Sequence, residues 1–487
     1  MRLPGRRRFA PAVLALGALL SPAGAPAALV AAAAASPVAA PVAVPVAPRA
    51  PRLERTLLKN GLTVFRLERT GLPLVQMQLL IPAGSAADPP GKEGLATLTA
   101  RLLARGSAGR GSAAFAEEVE FLGGTLAADA GPDRTIVAGE FAARDFETGL
   151  DLLAGMVRRP AFEADEFARE RDLLAAARDA VLDDTGALAS EALTRALFPQ
   201  HPYGRPADGF RSSLARLTRE DVVAGHAQRF AAGEATLALV GPIDAARARR
   251  AVEGAFGGWA RGGASGARPP AFAPLPSRVV LLIDKPDASQ SQIRIGQASI
   301  PRTDSAWAAL VAANAVLGSG FSSWLNDEIR VKRGLAYGIT SRLVPRRAGA
   351  TFEVVTATRN EKAEETVGLA LDLLARAHRG ALRQEDLDRG RNYLTGLFPL
   401  RIESPDALAT QILERRVLGL DPAGYASLQD ELRAVRLDAA NAAARRGLPG
   451  EAVAIVVVGP AAVLKEPLAR FGPVTVRPAS WVVDGGD

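Results

Sequence analysis

Residues 317–338, LGSGFSSWLNDEIRVKRGLAYG, pass from a glycine loop into a helix and out again through a turn into a strand. Phe321, Trp324, Leu325, Glu328 and Ile329 recur at helical spacing and predict a buried face on a helix from about Ser322 to Lys332, with Gly334 as its C-terminal stop. Arg333 and Tyr337, four residues apart, then flank a sharp change of direction. Local sequence alone gives each an ordinary role. An arginine at a helix C-terminus neutralises the last carbonyls, and a tyrosine opening a strand packs half-buried.

The rest of the chain reads as strands followed by helices, twice over. Asn60-Gly61, between Thr56-Leu57-Leu58 and Leu62-Thr63-Val64-Phe65, is a hairpin signal, and Leu74 to Ile81 is a second strand. Leu95, Leu98, Leu102 and Leu103 predict a helix over Gly94 to Arg105; a second covers Ser112 to Leu122, and a strand lies near Thr135 to Phe141. Helices follow from about Asp145 to Asp184 and from Leu188 to Leu197. Thr218-Arg219-Glu220-Asp221 caps another, and Ala235 to Val240 is a strand ending at Gly241-Pro242.

That last strand has an echo. EATLALVGP, Glu234 to Pro242, matches EAVAIVVVGP, Glu451 to Pro460, with an offset of 459 − 241 = 218 residues at the Gly-Pro. A repeat of this length is a duplicated domain. The expected fold is therefore α+β, with two homologous domains, each a mainly antiparallel sheet with helices packed on one face. The Gly-, Ala-, Ser- and Pro-rich run at 257–276 is the expected linker between an N-terminal domain at 52–256 and a C-terminal domain at 277–487.

Composition narrows the function. At 487 residues and 48% hydrophobic content the chain can bury substantial cores, mostly aliphatic because aromatics make up only 5%. MRLPGRRRF, the apolar run Ala10 to Leu20 and the small residues around Ala25 and Ala27 read as a signal peptide over 1–27, followed by an Ala/Pro/Val-rich linker over 28–51. The apolar run is too short to span a bilayer comfortably. An exported protein, periplasmic or extracellular and without a stable membrane span, is expected. Removing Arg2, Arg6, Arg7 and Arg8 from the formal charge of +7 leaves 7 − 4 = +3, and the other arginines are interspersed with acids, so no nucleic-acid partner is expected. The chain has no cysteine, which excludes disulfides and thiolate metal sites. Its three histidines, His201, His226 and His378, lack the helical spacing of a metal-ligand pair, and no G-x-S-x-G nucleophile elbow occurs.

GSGFSSWLNDEIRVKRGLAYG resembles the C-terminal-domain signature of the pitrilysin and insulinase family of zinc peptidases, the group that includes the mitochondrial processing peptidases. NGLTV at 60–64, GSAADPPGKEGLA at 84–96 and HPYG at 201–204 resemble the wording of its first domain, so the resemblance runs from about Arg55 to Val476. It implies that an inverted zinc motif, H-x-x-E-H, belongs on the helix after Gly94-Leu95-Ala96, with the Glu as general base. Here that stretch reads Thr97-Leu98-Thr99-Ala100-Arg101, and the third ligand position, 177 − 101 = 76 residues on, is Ala177. A hydroxyl at 97 is a poor zinc ligand, Ala100 cannot accept a proton, and a guanidinium at 101 repels a dication. No metal is expected in this chain.

The resemblance implies instead that Arg333 and Tyr337 reach into the zinc site of a homologous partner subunit that does carry H-x-x-E-H. A fixed cation and a phenol there would hold a substrate carbonyl and stabilise its oxyanion. On this reading the chain is the zinc-less subunit of a heterodimeric metallopeptidase acting on peptides, and is not catalytic alone. The alternative is a non-proteolytic peptide-binding or assembly protein on the same fold. Trp324 stands where the family's wording has a basic residue.

Overall fold

The Asn60-Gly61 turn joins β1 (Leu53–Leu57) to β2 (Thr63–Glu68) as an antiparallel hairpin in a computed structural model that describes residues 52–262 and 268–485. The signal peptide and linker expected over 1–51 lie outside the described residues. The first half continues with β3 (Leu74–Ile81), α1 (Leu95–Leu103), α2 (Ser112–Phe121), β4 (Thr125–Ala130) and β5 (Thr135–Ala142). Then come α3 (Phe146–Arg158), α4 (Ala164–Ala180), α5 (Thr185–Leu197), α6 (Arg219–Arg229), β6 (Thr236–Gly241) and α7 (Ala245–Phe256). The second half follows the same plan. It comprises β7 (Val279–Asp284), β8 (Gln290–Ser299), α8 (Trp307–Asn314), β9 (Ile339–Arg346), β10 (Gly349–Arg359), α9 (Ala363–His378) and α10 (Gln384–Arg401). It ends with α11 (Pro405–Val417), α12 (Leu437–Gly447), β11 (Ala454–Gly459), α13 (Ala461–Leu468), β12 (Val474–Pro478) and α14 (Ser480–Asp484).

Each half builds one six-stranded sheet, in the orders β1-β2-β6-β3-β5-β4 and β9-β10-β8-β11-β7-β12. The echoed strands β6 and β11 are interior to their sheets, offset by 454 − 236 = 218 residues, and each runs parallel to one neighbour and antiparallel to the other. The edges differ. β1 reaches its neighbour through a hairpin and is antiparallel, whereas β12 arrives from the C-terminal end and is parallel to β7.

Period-two alternation makes both faces of each sheet apolar along the central strands. In the first sheet Val75, Met77, Leu79, Leu237 and Leu239 face the half's own helices. The opposite face, with Phe65, Leu67, Leu80, Ala238 and Val240, is covered by Leu408, Ala409, Ile412 and Leu413 of α11, a helix of the other half. The second sheet mirrors this: Val280, Leu282, Ile293, Ile455 and Val457 face its own helices, and Leu281, Ile283, Ala454, Val456 and Val458 lie under Leu188, Ala189, Ala192, Leu193 and Leu197 of α5. Each sheet thus keeps its own helices on one face and borrows one helix for the other.

Polar clamps fix both borrowed helices at equivalent positions, 294 − 76 = 218. Arg294 of β8 donates to Gly186 O at 3.0 Å and Ser190 Oγ at 3.1 Å, and Gln76 and Gln78 of β3 donate to Asp406 Oδ1 at 3.1 and 2.8 Å. Burial depresses the Arg294 guanidinium to a pKa of about 10, which leaves it charged at neutral pH.

Candidate functional site

α8 does not end cleanly. Its last turn widens into a π-helical segment, Ala315–Ser319; the chain extends at Gly320 and then re-enters a helix whose body, Asn326–Lys332, is also π-helical. The expected α-helix over 322–332 is therefore present but underwound. Its capping turn is widened to match: Leu335 N donates to Ile329 O at 2.9 Å and Gly334 N to Arg330 O at 3.1 Å, with Gly334 at φ +59°, a conformation that favours glycine. π segments inside helices are frequent at functional sites. Gly318 has no room for a side chain, because a Cβ there would stand 2.4 Å from Ser341 Oγ. Ser341 in turn donates to Asn314 Oδ1 at 2.6 Å and accepts from Asn314 Nδ2 on its carbonyl at 3.3 Å, tying β9 to α8.

Trp324, Leu325 and Ile329 are buried as the spacing predicts. Phe321 is not. It lies before the helix proper and is 69% exposed, with the Arg330 guanidinium 4.7 Å from its ring centroid. Trp324 is locked in: Nε1 donates to Asp386 Oδ2 at 3.2 Å and Arg376 stacks over the ring at 4.0 Å.

Arg333 and Tyr337 emerge at the far end on the surface. Tyr337 is 93% exposed, its ring centroid 5.4 Å from the Arg330 guanidinium. The half-buried packing expected of a strand-opening tyrosine is not its role. Arg333 donates through Nε to Glu328 Oε1 at 3.0 Å, and its Nη1 stands 3.6 Å from Glu365 Oε1 on α9. Its Nη2 makes no hydrogen bond among the described residues. Bonds from Arg333 and Lys332 hold the Glu328 carboxyl below its ordinary pKa.

The positions of the degenerate metal motif lie on two helices that pack together, α1 and α4. Thr97 is buried, and its hydroxyl donates to Ala207 O at 2.7 Å. Ala100 is 1% exposed and sits with Ala96 against Ala128 and Ala130 of β4. Arg101 is half-buried and makes no hydrogen bond or ion pair among the described residues, and Ala177 is exposed. Glu170 of α4 is bound to Arg105 at 2.7 Å. These side chains do not fit a zinc ion: one hydroxyl is already committed to a carbonyl, one position is cationic, and two offer no donor atom. Among the described residues no group of three His, Asp or Glu side chains is placed to hold a metal.

The helix that carries these positions is anchored from outside. Asp88 accepts from Ala96 N at 3.2 Å and from Arg229 Nη1 at 2.8 Å. Burial pushes this carboxyl up to about 6, against the opposing pull of Arg229 and the backbone amides. The histidines are structural. His201 Nδ1 accepts from Tyr203 N at 3.0 Å while Nε2 faces Pro270 O at 2.7 Å; His226 Nε2 faces Val157 O at 2.8 Å, with burial lowering its pKa; His378 Nδ1 faces Leu448 O at 3.0 Å. Sequence reasoning put Phe321 on the buried face and missed Arg330 and Glu365 beside Tyr337 and Arg333. The helical spacing shows Arg330 beside them, but Glu365 arrives from another helix.

Two family models match this chain: "Insulinase (Peptidase family M16)" over residues 65–209 and "Peptidase M16 inactive domain" over 216–394. The chain belongs to the insulinase family, peptidase M16. The first model covers the helix with the degenerate motif, and the second covers the segment with Arg333 and Tyr337. A protein named as an uncharacterised zinc protease from Rickettsia bellii is 25% identical over 341 residues, 69% of this chain and 81% of that one. Among solved structures, a peptidase M16 inactive domain from Pseudomonas fluorescens aligns with a TM-score of 0.79 and 28% identity over 84% of this chain and 98% of that chain. The periplasmic protease PqqL from Escherichia coli shares the fold at a TM-score of 0.72 and 16% identity, over 84% of this chain and 45% of that one.

Proposed function

We propose that this chain is the non-catalytic subunit of an exported, heterodimeric insulinase-family metallopeptidase. Hydrolysis itself is assigned to a homologous partner subunit that carries H-x-x-E-H and its zinc. This chain supplies part of the substrate-binding wall together with Arg333 and Tyr337. One observation supports the reading: a family member with Thr97, Ala100, Arg101 and Ala177 at the metal positions nevertheless carries an exposed arginine and, four residues on, a 93% exposed tyrosine. A large side chain with no core to serve is explained by what it meets in another molecule.

The chemistry asked of the pair is modest. The free Nη2 of Arg333 and the Tyr337 hydroxyl donate to the carbonyl oxygen of a bound peptide and hold the negative charge that develops there; one such donor is worth roughly 10²–10³ in rate. Glu328 and Glu365 hold the guanidinium through Nε and Nη1, which leaves Nη2 to meet the ligand. The same ion pairs favour the second reading, a peptide-binding or assembly protein in which Arg333 is only a structural cation.

Peptide hydrolysis by this chain alone, by an H-x-x-E-H homologue alone and by the mixture separates the two. Activity that appears only in the mixture supports the subunit reading. A mixture no more active than the homologue alone rejects it in favour of the binding protein.

A further inference from the structure

A cavity of about 290 Å3 is walled by residues of both halves, among them Arg178 of α4, Glu191 and Arg195 of α5, Asp208, and Arg346 at the end of β9. Its charges are not equivalent. Arg178 spends its fork on Glu191 with bonds of 2.8 and 2.9 Å. Arg205, also on the wall, donates to Asp88 O at 3.0 Å and lies 3.6 Å from Glu93. Arg195 stacks on Trp481 at 3.7 Å and donates to its carbonyl.

Arg346 is different. Its guanidinium lies 4.9 Å from the Tyr203 ring centroid and 5.8 Å from that of Phe198, and none of its N–H groups has an acceptor among the described residues; Nε is buried and unpaired. A guanidinium held by aromatic rings keeps its N–H fork available for a planar oxyanion. The turn that follows it is pinned. Arg347 N donates to Asp133 Oδ2 at 2.9 Å, Ala348 N to the Tyr203 hydroxyl at 3.2 Å, and that hydroxyl to Asp133 Oδ1 at 2.6 Å. The fork is therefore pre-positioned, and ligand binding does not have to order it. Asp208, which likewise has no side-chain partner among the described residues, disfavours a dianion and offers an acceptor for an N–H.

We propose that this cavity binds a carboxylate at the free C-terminal end of a short peptide. Arg346 forks the carboxylate, and Asp208 accepts an amide N–H of the same ligand. The volume is at the small end for ligand pockets and suits one or two residues. The proposal stands apart from the role given to Arg333 and Tyr337.

Calorimetric titration of the full chain with N-acetyl-dialanine, its C-terminal amide and inorganic phosphate tests it. Saturable binding of the free acid is expected, at least tenfold weaker for the amide, and at least tenfold weaker for the acid in Arg346→Met. Arg346→Lys, which keeps the charge but not the fork, serves the same purpose if Arg346→Met does not fold. Asp208→Asn is expected to raise phosphate affinity. No binding of the acid, equal binding of acid and amide, indifference of the acid to Arg346 substitution, or phosphate binding more tightly than the acid would each overturn the proposal.

Discussion

Two tyrosines of similar sequence prominence, in HPYG and GLAYG, have opposite surroundings. Tyr337 is exposed and leans on Arg330, whereas the Tyr203 hydroxyl donates to Asp133 and accepts from Ala348 N across the two halves. Burial and the Asp133 carboxylate push the Tyr203 phenol well above its ordinary pKa, so it stays a donor at any pH near neutrality. Tyr203→Phe strips the O–H from Asp133 and the acceptor from Ala348 N, and should cost about 1–3 kcal/mol in urea unfolding; no change would mean the bonds are made equally well to water. The glycine stop at Gly334 was legible as a local pattern, whereas the role assigned to Arg333 and Tyr337 came only from the resemblance of the whole 317–338 stretch. The ion pair with Glu365 and the aromatic seat of Arg346 were not legible, since each partner comes from an element distant in sequence.

At the scale of elements, α1 is held from outside by a buried carboxylate. Its outer anchor, Asp88, has a folded pKa of about 6 against an ordinary 3.8. The folded chain therefore takes up this proton first as pH falls. Through this group stability rises on going from pH 6 to pH 4, and above pH 6 the ionised form lowers it by up to roughly 3 kcal/mol relative to acid. The unfolding free energy of the wild type minus that of Asp88→Asn should grow as pH falls from 7 to 4; a difference that shrinks would show that Arg229 wins over burial. Helix positions were readable from apolar periodicity and caps such as Thr218, whose hydroxyl accepts from Asp221 N at 3.2 Å. The π segments were not, because widening a turn leaves the spacing of buried residues nearly unchanged.

At the scale of the whole molecule, the 218-residue repeat was legible in a nine-residue echo, but the exchange of α5 and α11 was not. An amphipathic helix declares that it has an apolar face and says nothing of which sheet receives it. The exchange couples the halves: without α11, Phe65, Leu67, Leu80, Ala238 and Val240 of the first sheet lose their cover. Residues 52–262 produced alone should bind a hydrophobic dye and aggregate, and co-production with 268–485 should restore a soluble pair. A well-behaved isolated half, with a sharp unfolding transition, would contradict this coupling.

The central claim is that Arg333 and Tyr337 act on a substrate held with a partner subunit. It is tested most directly by kcat/KM of the assembled pair carrying Arg333→Ala or Tyr337→Phe, with assembly and thermal stability measured on the same samples. Both residues are exposed, so substitution should leave stability within about 0.5 kcal/mol. The account predicts a loss of roughly 10²–10³ in kcat/KM with assembly intact. Unchanged kcat/KM in an intact pair would contradict it.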